Sequence, residues 1–447
     1  MIFPQVETRA LKTLRPRTNA RTHSKKQLHK LARSLRNFGW TAYIVIDEQD
    51  SILAGHGRCE AAGLNGWTNV PVIVLRGLTE AQKIAIGLAD NRIPLDAGWD
   101  YDIMSQQFRE LKDLLPELDL TLFDLGFEPP EIDAIFSDRI DPEQDPADNE
   151  PDLADKAVSR AGDRWDLGGH RIYCGSSLEP RSWKRLFDGK LAEAIISDPP
   201  FNLAVKSIVG RGATKHREFL QASGELSSAE FRQFLQSALT LATRYSVDGS
   251  LHYLFMDWRH AYDLQAVGKT IYSSLENLVV WVKSNGGMGS LYRSQHELIF
   301  VFKSGDAPHQ NHVLLGKHGR NRTNVWSYAG VNSFRAGRLD DLATHPTVKP
   351  VALIADAMRD CTKRGDVVAD PFLGSGTTIL AAEKVGRRGF GIELDPLYVD
   401  AAIRRWQAFT RRDAKLWETG QTFDEVTEER SRRPKRVRLV DIAGARP

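Results

Sequence analysis

A chain of 447 residues exceeds what one hydrophobic core ordinarily supports, so two or three domains are expected, one of them large. Sixty Lys and Arg against 58 Asp and Glu leave a net charge of +2, which excludes any inference of nucleic-acid binding from total charge and moves that question to local patches. Cys59, Cys174 and Cys361 are widely spaced, which speaks against a disulfide framework or a cysteine zinc site, and no run approaches the roughly 18 apolar residues of a membrane span; a cytoplasmic protein with no bound metal and no membrane partner is expected.

From Ser24 to Phe38, Leu28, Leu31, Leu35 and Phe38 recur at helical spacing with Lys25, Lys26, Lys30, Arg33 and Arg36 around the turn, which predicts an amphipathic basic helix. A strand is expected over Tyr43–Ile46, another over Val70–Leu75, and Ser51-Ile52-Leu53-Ala54-Gly55-His56-Gly57-Arg58 lies between them. Thr79 with Gln82 forms a capping box for a helix running through Leu88. The first 95 residues therefore read as a small α+β unit, followed by a helical extension over 96–137. Between Asp138 and Asp155 there are eight acidic residues, one basic residue and prolines at 142, 146 and 151. So little apolar surface cannot offset the entropy of ordering, and 138–160 reads as an acidic flexible linker.

Beyond it, strands are expected near Arg171–Cys174, Ala192–Ser197, Ser250–Met256, Leu278–Val282 and Glu297–Phe302, interleaved with helices in an α/β rhythm over 161–415. From about 416 the chain turns polar, with Arg430, Arg432, Arg433, Lys435, Arg436 and Arg438 close together, and a disordered tail is expected.

Two motifs carry chemistry. Asp198-Pro199-Pro200-Phe201 ends an apolar run, which puts Asp198 at the carboxyl edge of a buried strand, where open α/β sheets hold ligands. The exocyclic amine of adenine or cytosine is a poor nucleophile because its lone pair is delocalised into the ring. Asp198 and the carbonyl of Pro199 can accept its two hydrogens, the rigidity of Pro200 fixes the geometry, and Phe201 can stack on an extruded base. An Asp-Pro-Pro turn without chemistry is common, so this reading depends on the second motif. There Val367-Val368-Ala369 predicts a strand, Gly374-Ser375-Gly376-Thr377 a turn, Thr378–Val385 a helix, and Gly389–Ile392 a second strand ending at Glu393. Glycines admit a ligand close to the backbone, the helix N-terminus offers N–H groups, and Glu393 lies where an acidic residue accepts from ribose hydroxyls. A phosphate-binding loop is disfavoured because no Lys follows Gly376.

On these residues the chain from about Gly162 to Phe409 resembles the amino-group (N6-adenine/N4-cytosine) DNA methyltransferases of the permuted class, in which the catalytic motif precedes the cofactor motif. The resemblance implies a Rossmann-like α/β fold and S-adenosylmethionine as cofactor. It implies catalytic roles for Asp198, Pro199, Pro200 and Phe201, and cofactor contacts from Asp370, Phe372, Gly374, Ser375, Gly376, Thr377, Thr378 and Glu393. His345-Pro346-Thr347-Val348-Lys349-Pro350 matches the motif ahead of the Gly-rich turn, adding His345 and Lys349 to the cofactor set. Phe201 stands where many relatives carry Tyr, and Ser176 where they commonly carry Asp. The target-recognition region of the class corresponds to about 284–344; between Lys303 and Arg338 it holds six basic residues and one acidic, interleaved with Trp326, Tyr328 and Phe334, which suits phosphate contact.

The segment from about Val6 to Asn91 is similar to the ParB/Spo0J-like N-terminal domain, in Ile52–Arg58 and Val70–Val74. That resemblance implies a phosphate or DNA contact at Gly55, His56 and Arg58. Double-stranded DNA is the partner implied, and a homodimer is compatible with both resemblances. The expected activity is N6-adenine methylation of DNA; the alternatives are N4-cytosine methylation, and a ParB-like DNA-binding or nuclease-like protein whose methyltransferase domain is degenerate.

Overall fold

The computed structural model describes residues 5–18, 21–96, 99–115, 120–136, 146–148, 153–203, 221–283, 286, 291–313, 322–328 and 349–431. Contacts divide the chain into two compact units, Met1–Phe136 and Ser137–Pro447.

The first unit contains β1 (Val6–Ala10), β2 (Arg15–Pro16), α1 (Lys25–Phe38), β3 (Ile44–Ile46), β4 (Ser51–Ala54), α2 (His56–Leu64), β5 (Asn69–Val74), α3 (Glu80–Arg92), α4 (Tyr101–Leu114) and α5 (Pro129–Ile135). Its strands form a mixed sheet in the order β1-β5-β3-β4-β2 around a core of Ile44, Ile46, Val70 and Val72. Helix α1 opens where the Gln27 N–H donates to Ser24 Oγ at 3.1 Å and closes at Gly39, whose φ of 72° suits a residue without Cβ. Thr79 and Gln82 form the capping box that their spacing predicts. The basic side of α1 meets acids of its own unit: Lys26 Nζ bonds Glu128 at 2.8 Å, Lys30 pairs with the same carboxylate, and Arg33 lies 3.4 Å from Asp124.

The second unit contains β6 (Arg164–Leu167), β7 (His170–Cys174), α6 (Pro180–Phe187), β8 (Ala192–Ser197), α7 (Ser228–Arg244), β9 (Ser246–Met256), α8 (Ala261–Ile271), β10 (Ser274–Val282), β11 (His296–Ser304), β12 (Val325–Ser327), α9 (Val351–Cys361), β13 (Val367–Asp370), α10 (Thr377–Val385), β14 (Arg388–Glu393), α11 (Pro396–Thr410), β15 (Lys415–Leu416) and α12 (Phe423–Ser431). They build a ten-stranded sheet in the order β12-β10-β11-β9-β8-β13-β14-β7-β6-β15. The middle five, β9-β8-β13-β14-β7, are mutually parallel. Both faces of these strands are buried, which explains their continuous apolar runs. Ile196 and Val368 face a core with Leu380, Ile403 and Trp406, whereas Ile195 and Val367 face one with Trp183, Leu235 and Phe390. The chain leaves β8 towards β9 and leaves β13 towards β14, in opposite directions across the sheet. The β8/β13 boundary is therefore a topological switch point, with a crevice at its carboxyl edge.

Two expectations are corrected here. Part of the acidic stretch 138–160 is built into the second unit: Ala147 joins its core, Asp148 Oδ1 accepts the Val351 N–H at 2.8 Å at the start of α9, and Asp400 accepts the N–H groups of Val158 and Ser159. Acidic residues that cap helices and strand approaches are indistinguishable in composition from solvated ones. The polar tail expected from 416 contains α12, whose Phe423 is 2% exposed and packs on Trp165 with centroids 5.3 Å apart, while Arg430 bonds Asp163 at 2.5 Å. Two apolar residues three apart, Phe423 and Val426, anchor a segment that its charges make look solvated; residues 432–447 lie outside the described residues.

The Gly-rich turn is also held by packing. Gly376 has φ 89°, and a Cβ there would lie 2.6 Å from Ala402 Cβ in α11, whereas Gly374 has φ 55° and open space around the same position. Gly376→Ala should therefore destabilise folding by about 2 kcal/mol or more with no ligand present, and Gly374→Ala by only about 1 kcal/mol. Equilibrium denaturation of the cofactor-free variants checks this. Phe423→Ala should cost about 3 to 5 kcal/mol by the same measurement, where a detached tail would leave the midpoint unmoved.

Candidate active site

Asp198, Asp370 and Glu393 emerge at the carboxyl ends of three adjacent parallel strands, β8, β13 and β14. A cavity opens above them. One side is lined by Asp198, Pro199, Pro200 and Phe201, the other by Phe372, Gly374, Ser375, Thr377, Thr378 and Glu393.

Each carboxylate is partnered differently. Asp370 is 5% exposed; Oδ1 accepts from Ser197 Oγ at 2.7 Å and from the Phe372 N–H at 3.0 Å, and Oδ2 accepts from Thr378 Oγ1 at 2.7 Å. It ties the end of β8, the turn and the first turn of α10 together. Glu393 receives the Gly374 N–H and the Asp395 N–H, each at 2.8 Å, and burial pushes its carboxyl up to about 7 against those two donors. Helix α10 opens at Gly376 with no side-chain cap. Below the turn, Arg405 of α11 donates to the Ser375 carbonyl and hydroxyl, both at 2.9 Å. Gly374, Ser375, Thr377 and Thr378 line the cavity; Gly376, expected among the cofactor contacts, instead faces Ala402. Phe372 packs beside Phe234 with its ring centroid 5.7 Å away.

Asp198 is the third case. Oδ2 accepts from Lys349 Nζ at 2.5 Å, and Oδ1 is buried with no hydrogen-bond partner among the described residues. Burial and the neighbouring Glu297 carboxylate push the Asp198 carboxyl up to about 6, against the pull of Lys349. Lys349 is 5% exposed; its ammonium lies 5.5 Å from the Phe201 ring centroid and 5.3 Å from that of Phe255, and 3.1 Å from Glu297 Oε2. Glu297 pairs in turn with Lys283 at 2.5 Å. Lys349, expected as a cofactor contact, lines the cavity and directs its charge onto the Asp198 motif. Sequence reading missed Lys283 and Glu297: they meet Asp198 only through strand pairing of β10 and β11, and nothing local marks them. It also missed Asn202, in the left-handed region at φ 52°, whose amide holds the Gly224 N–H and the Leu226 N–H and C=O at 2.8–3.2 Å.

His345 and Phe334 lie outside the described residues. Trp326 and Tyr328, read as part of a phosphate-contacting patch, are structural. Trp326 is buried against Tyr253, Tyr328 Oη donates to Asp356 Oδ2 at 2.6 Å, and Arg322 is paired with both Asp356 and Asp360. Ser176 Oγ accepts its own turn's Leu178 N–H at 3.2 Å, while Gly175 and Ser177 line the cavity.

In the first unit, Gly55 at φ 93° begins α2 without a side-chain cap, so the turn His56-Gly57-Arg58 presents backbone N–H groups. The Arg58 guanidinium folds back towards Gly55, Gly57 packs against the His23 ring, and burial lowers the basicity of the half-buried His56.

Comparison with known proteins matches residues 192–404 to the family model "DNA methylase" of the N6/N4 type and residues 4–92 to the "ParB N-terminal domain" model. The chain is 54% identical over 65 residues to the ParB-like nuclease domain-containing protein YnaK of Escherichia coli (strain K12), covering 14% of this chain and 75% of that one. It is 23% identical over 249 residues to the type II methyltransferase M.HpaI of Haemophilus parainfluenzae, covering 53% of this chain and 73% of that one. The crystal structure of the M1.HpyAVI–SAM complex matches 52% of this chain and 97% of that one, at 20% identity and a TM-score of 0.38. No helix among the described residues is long and apolar enough to cross a membrane. The chain belongs to the ParB-like proteins through its N-terminal domain and, fused behind it, carries a DNA methyltransferase domain of the N6/N4 amino-methyltransferase family.

Proposed function

We propose that the second unit transfers the methyl group of S-adenosylmethionine to the exocyclic N6 amine of adenine in duplex DNA. The observation that carries this reading is Asp198 Oδ1, a buried acceptor without a partner among the described residues, held at the switch point beside a cavity that reaches Glu393. When bound, the cofactor supplies a methyl group on a positively charged sulfur, already activated for displacement. Glu393, fixed by the backbone of its own turn, offers carboxylate lone pairs to ribose hydroxyls. Gly374 and Ser375 bring the backbone close to the ligand, and the uncapped start of α10 suits its carboxylate. Asp370 shapes this turn; its oxygens are already engaged by Ser197, Thr378 and Phe372. On the other side Asp198 Oδ1 and the Pro199 carbonyl accept the amine hydrogens, so that the lone pair turns towards the methyl group, and the Phe201 ring stacks on the extruded base. Adenine is favoured over cytosine because Asp, rather than Ser, opens the catalytic motif. The phosphate-facing start of α2 with Arg58 adds DNA or nucleotide binding from the N-terminal domain.

Incubating the protein with duplex DNA and labelled S-adenosylmethionine should yield N6-methyladenine by nucleoside mass spectrometry. N4-methylcytosine alone would overturn the base assignment, and no modified base would overturn the activity. Asp198→Ala should lower turnover by at least about 100-fold while cofactor binding stays near the parent value; equal losses in both would remove Asp198 from the amine. Because a protonated Asp198 is an uncharged and weaker acceptor that no longer supports positive charge developing on the amine, turnover at saturating cofactor should fall, approaching about tenfold per pH unit, below about 6, measured as a pH profile. A chain beginning at residue 138, which retains Ala147 and Asp148, should still methylate DNA but bind it more weakly, and Arg58→Ala in the full chain should lose part of the same affinity.

A further inference from the structure

We infer that Lys349 holds Asp198 ionised and aims its free oxygen, while Glu297, itself paired with Lys283, shares that ammonium and limits its pull, which makes Lys349 a positioning residue for the reacting amine rather than a holder of the cofactor. The inference rests on the methyl-transfer reading above and assigns the control of its central carboxylate.

The four groups alternate in sign along one edge of the sheet. Lys283, just past β10, bonds Glu297 of β11 at 2.5 Å; Glu297 lies 3.1 Å from Lys349, ahead of α9; Lys349 reaches Asp198, past β8, at 2.5 Å. Asp198, Glu297 and Lys283 lie on the β8-β9-β11-β10 half of the sheet with Lys349 just ahead of α9, across the shared cavity from the glycine turn and Glu393 on the β13-β14 half. The Lys349 ammonium is enclosed by aromatic faces, with ring centroids at 5.5 Å for Phe201, 5.3 Å for Phe255 and 6.0 Å for Trp281. In such surroundings a single charge is costly, and an alternating chain of two ammonium and two carboxylate groups is the arrangement that leaves none uncompensated. One N–H of Lys349 engages Asp198 Oδ2, which leaves Oδ1 wholly unengaged among the described residues and biases the carboxylate towards presenting it to a substrate.

Among the described residues, the charged groups facing Asp198 are Lys349 before α9, Glu297 on β11 and Asp370 at the end of β13. Taking away Lys349 leaves Asp198 beside Glu297 and Asp370 without its own ammonium, while Lys283 stays on Glu297. Asp198 must then hold its proton to higher pH. Taking away the charge of Glu297 leaves Lys349 to Asp198 alone, and Asp198 must ionise at lower pH. The two changes act in opposite directions on one group, which damage to packing would not do.

The test is a titration of the Asp198 side-chain carboxyl by carbon NMR on the full-length protein labelled at Asp, assigned with Asp198→Asn. Lys349→Met should raise the midpoint by about one pH unit or more, Glu297→Gln should lower it, and Lys349→Arg should restore it towards the parent value. The same shifts should appear in the acid limb of methyl transfer, with the S-adenosylmethionine dissociation constant of each variant within about threefold of the parent. Midpoints that stay put in both Lys349→Met and Glu297→Gln overturn the inference. So does a loss of cofactor affinity in Lys349→Met that matches its loss of activity. Should the NMR midpoints move as expected while the parent protein transfers no methyl to DNA, the charge chain stands and the methyl-transfer reading fails.

Discussion

Three carboxylates leave adjacent parallel strands at one edge, and none can be taken from water without a partner for its charge. The second unit answers this constraint three ways. Asp370 is satisfied by two hydroxyls and an amide, which turns it into a structural tie. Glu393 is satisfied by backbone amides alone, so its lone pairs still border the cavity. Asp198 is satisfied on one oxygen only, by an ammonium delivered from a distant part of the chain. A tie, a cavity-bordering acceptor and a half-satisfied acceptor are thus made from the same functional group, and what separates them is the source of their hydrogen bonds.

The glycine turn follows from the same crowding. Asp370 draws Phe372 and Thr378 inward, which forces the chain through left-handed conformations at Gly374 and Gly376. The second of these brings α11 against the turn, and Arg405 from that helix then reaches the Ser375 carbonyl from beneath. The two glycines look equivalent in the motif, yet one borders the cavity with open space around it and the other admits a neighbouring helix. The requirement at Gly376 is therefore met in the folding of the domain, before any ligand arrives.

What was legible in the sequence is what local pattern controls. Ala192–Ser197, Val367–Asp370 and Arg388–Glu393 are apolar runs because parallel strands are buried on both faces, so the positions of Asp198, Asp370 and Glu393 at the strand ends could be read directly. The capping box at Thr79 was legible for the same reason. The charge chain was not: Lys283 and Glu297 are joined to Asp198 only by the order β10-β11-β9-β8, which no spacing encodes. Lys349 was read from a motif that reports its place in the chain but not the direction of its side chain. Trp326 and Tyr328 misled in the opposite sense, since aromatics among basic residues look alike whether they meet a nucleic acid or a strand of the same protein.

Charge in the first unit carries the same lesson further. Helix α1 has the composition of a phosphate-binding helix, but Lys26, Lys30 and Arg33 are already engaged by Glu128 and Asp124 from the segment leading into α5. An incoming phosphate would have to displace those carboxylates, a competition that weakens the attraction the lysines and arginine would otherwise exert. At the start of α2 the first-turn N–H groups have no side-chain cap among the described residues, and Ile44 and His23 pack against Gly55 and Gly57. The conspicuously basic helix is thus chiefly the surface on which its own acidic segment is seated.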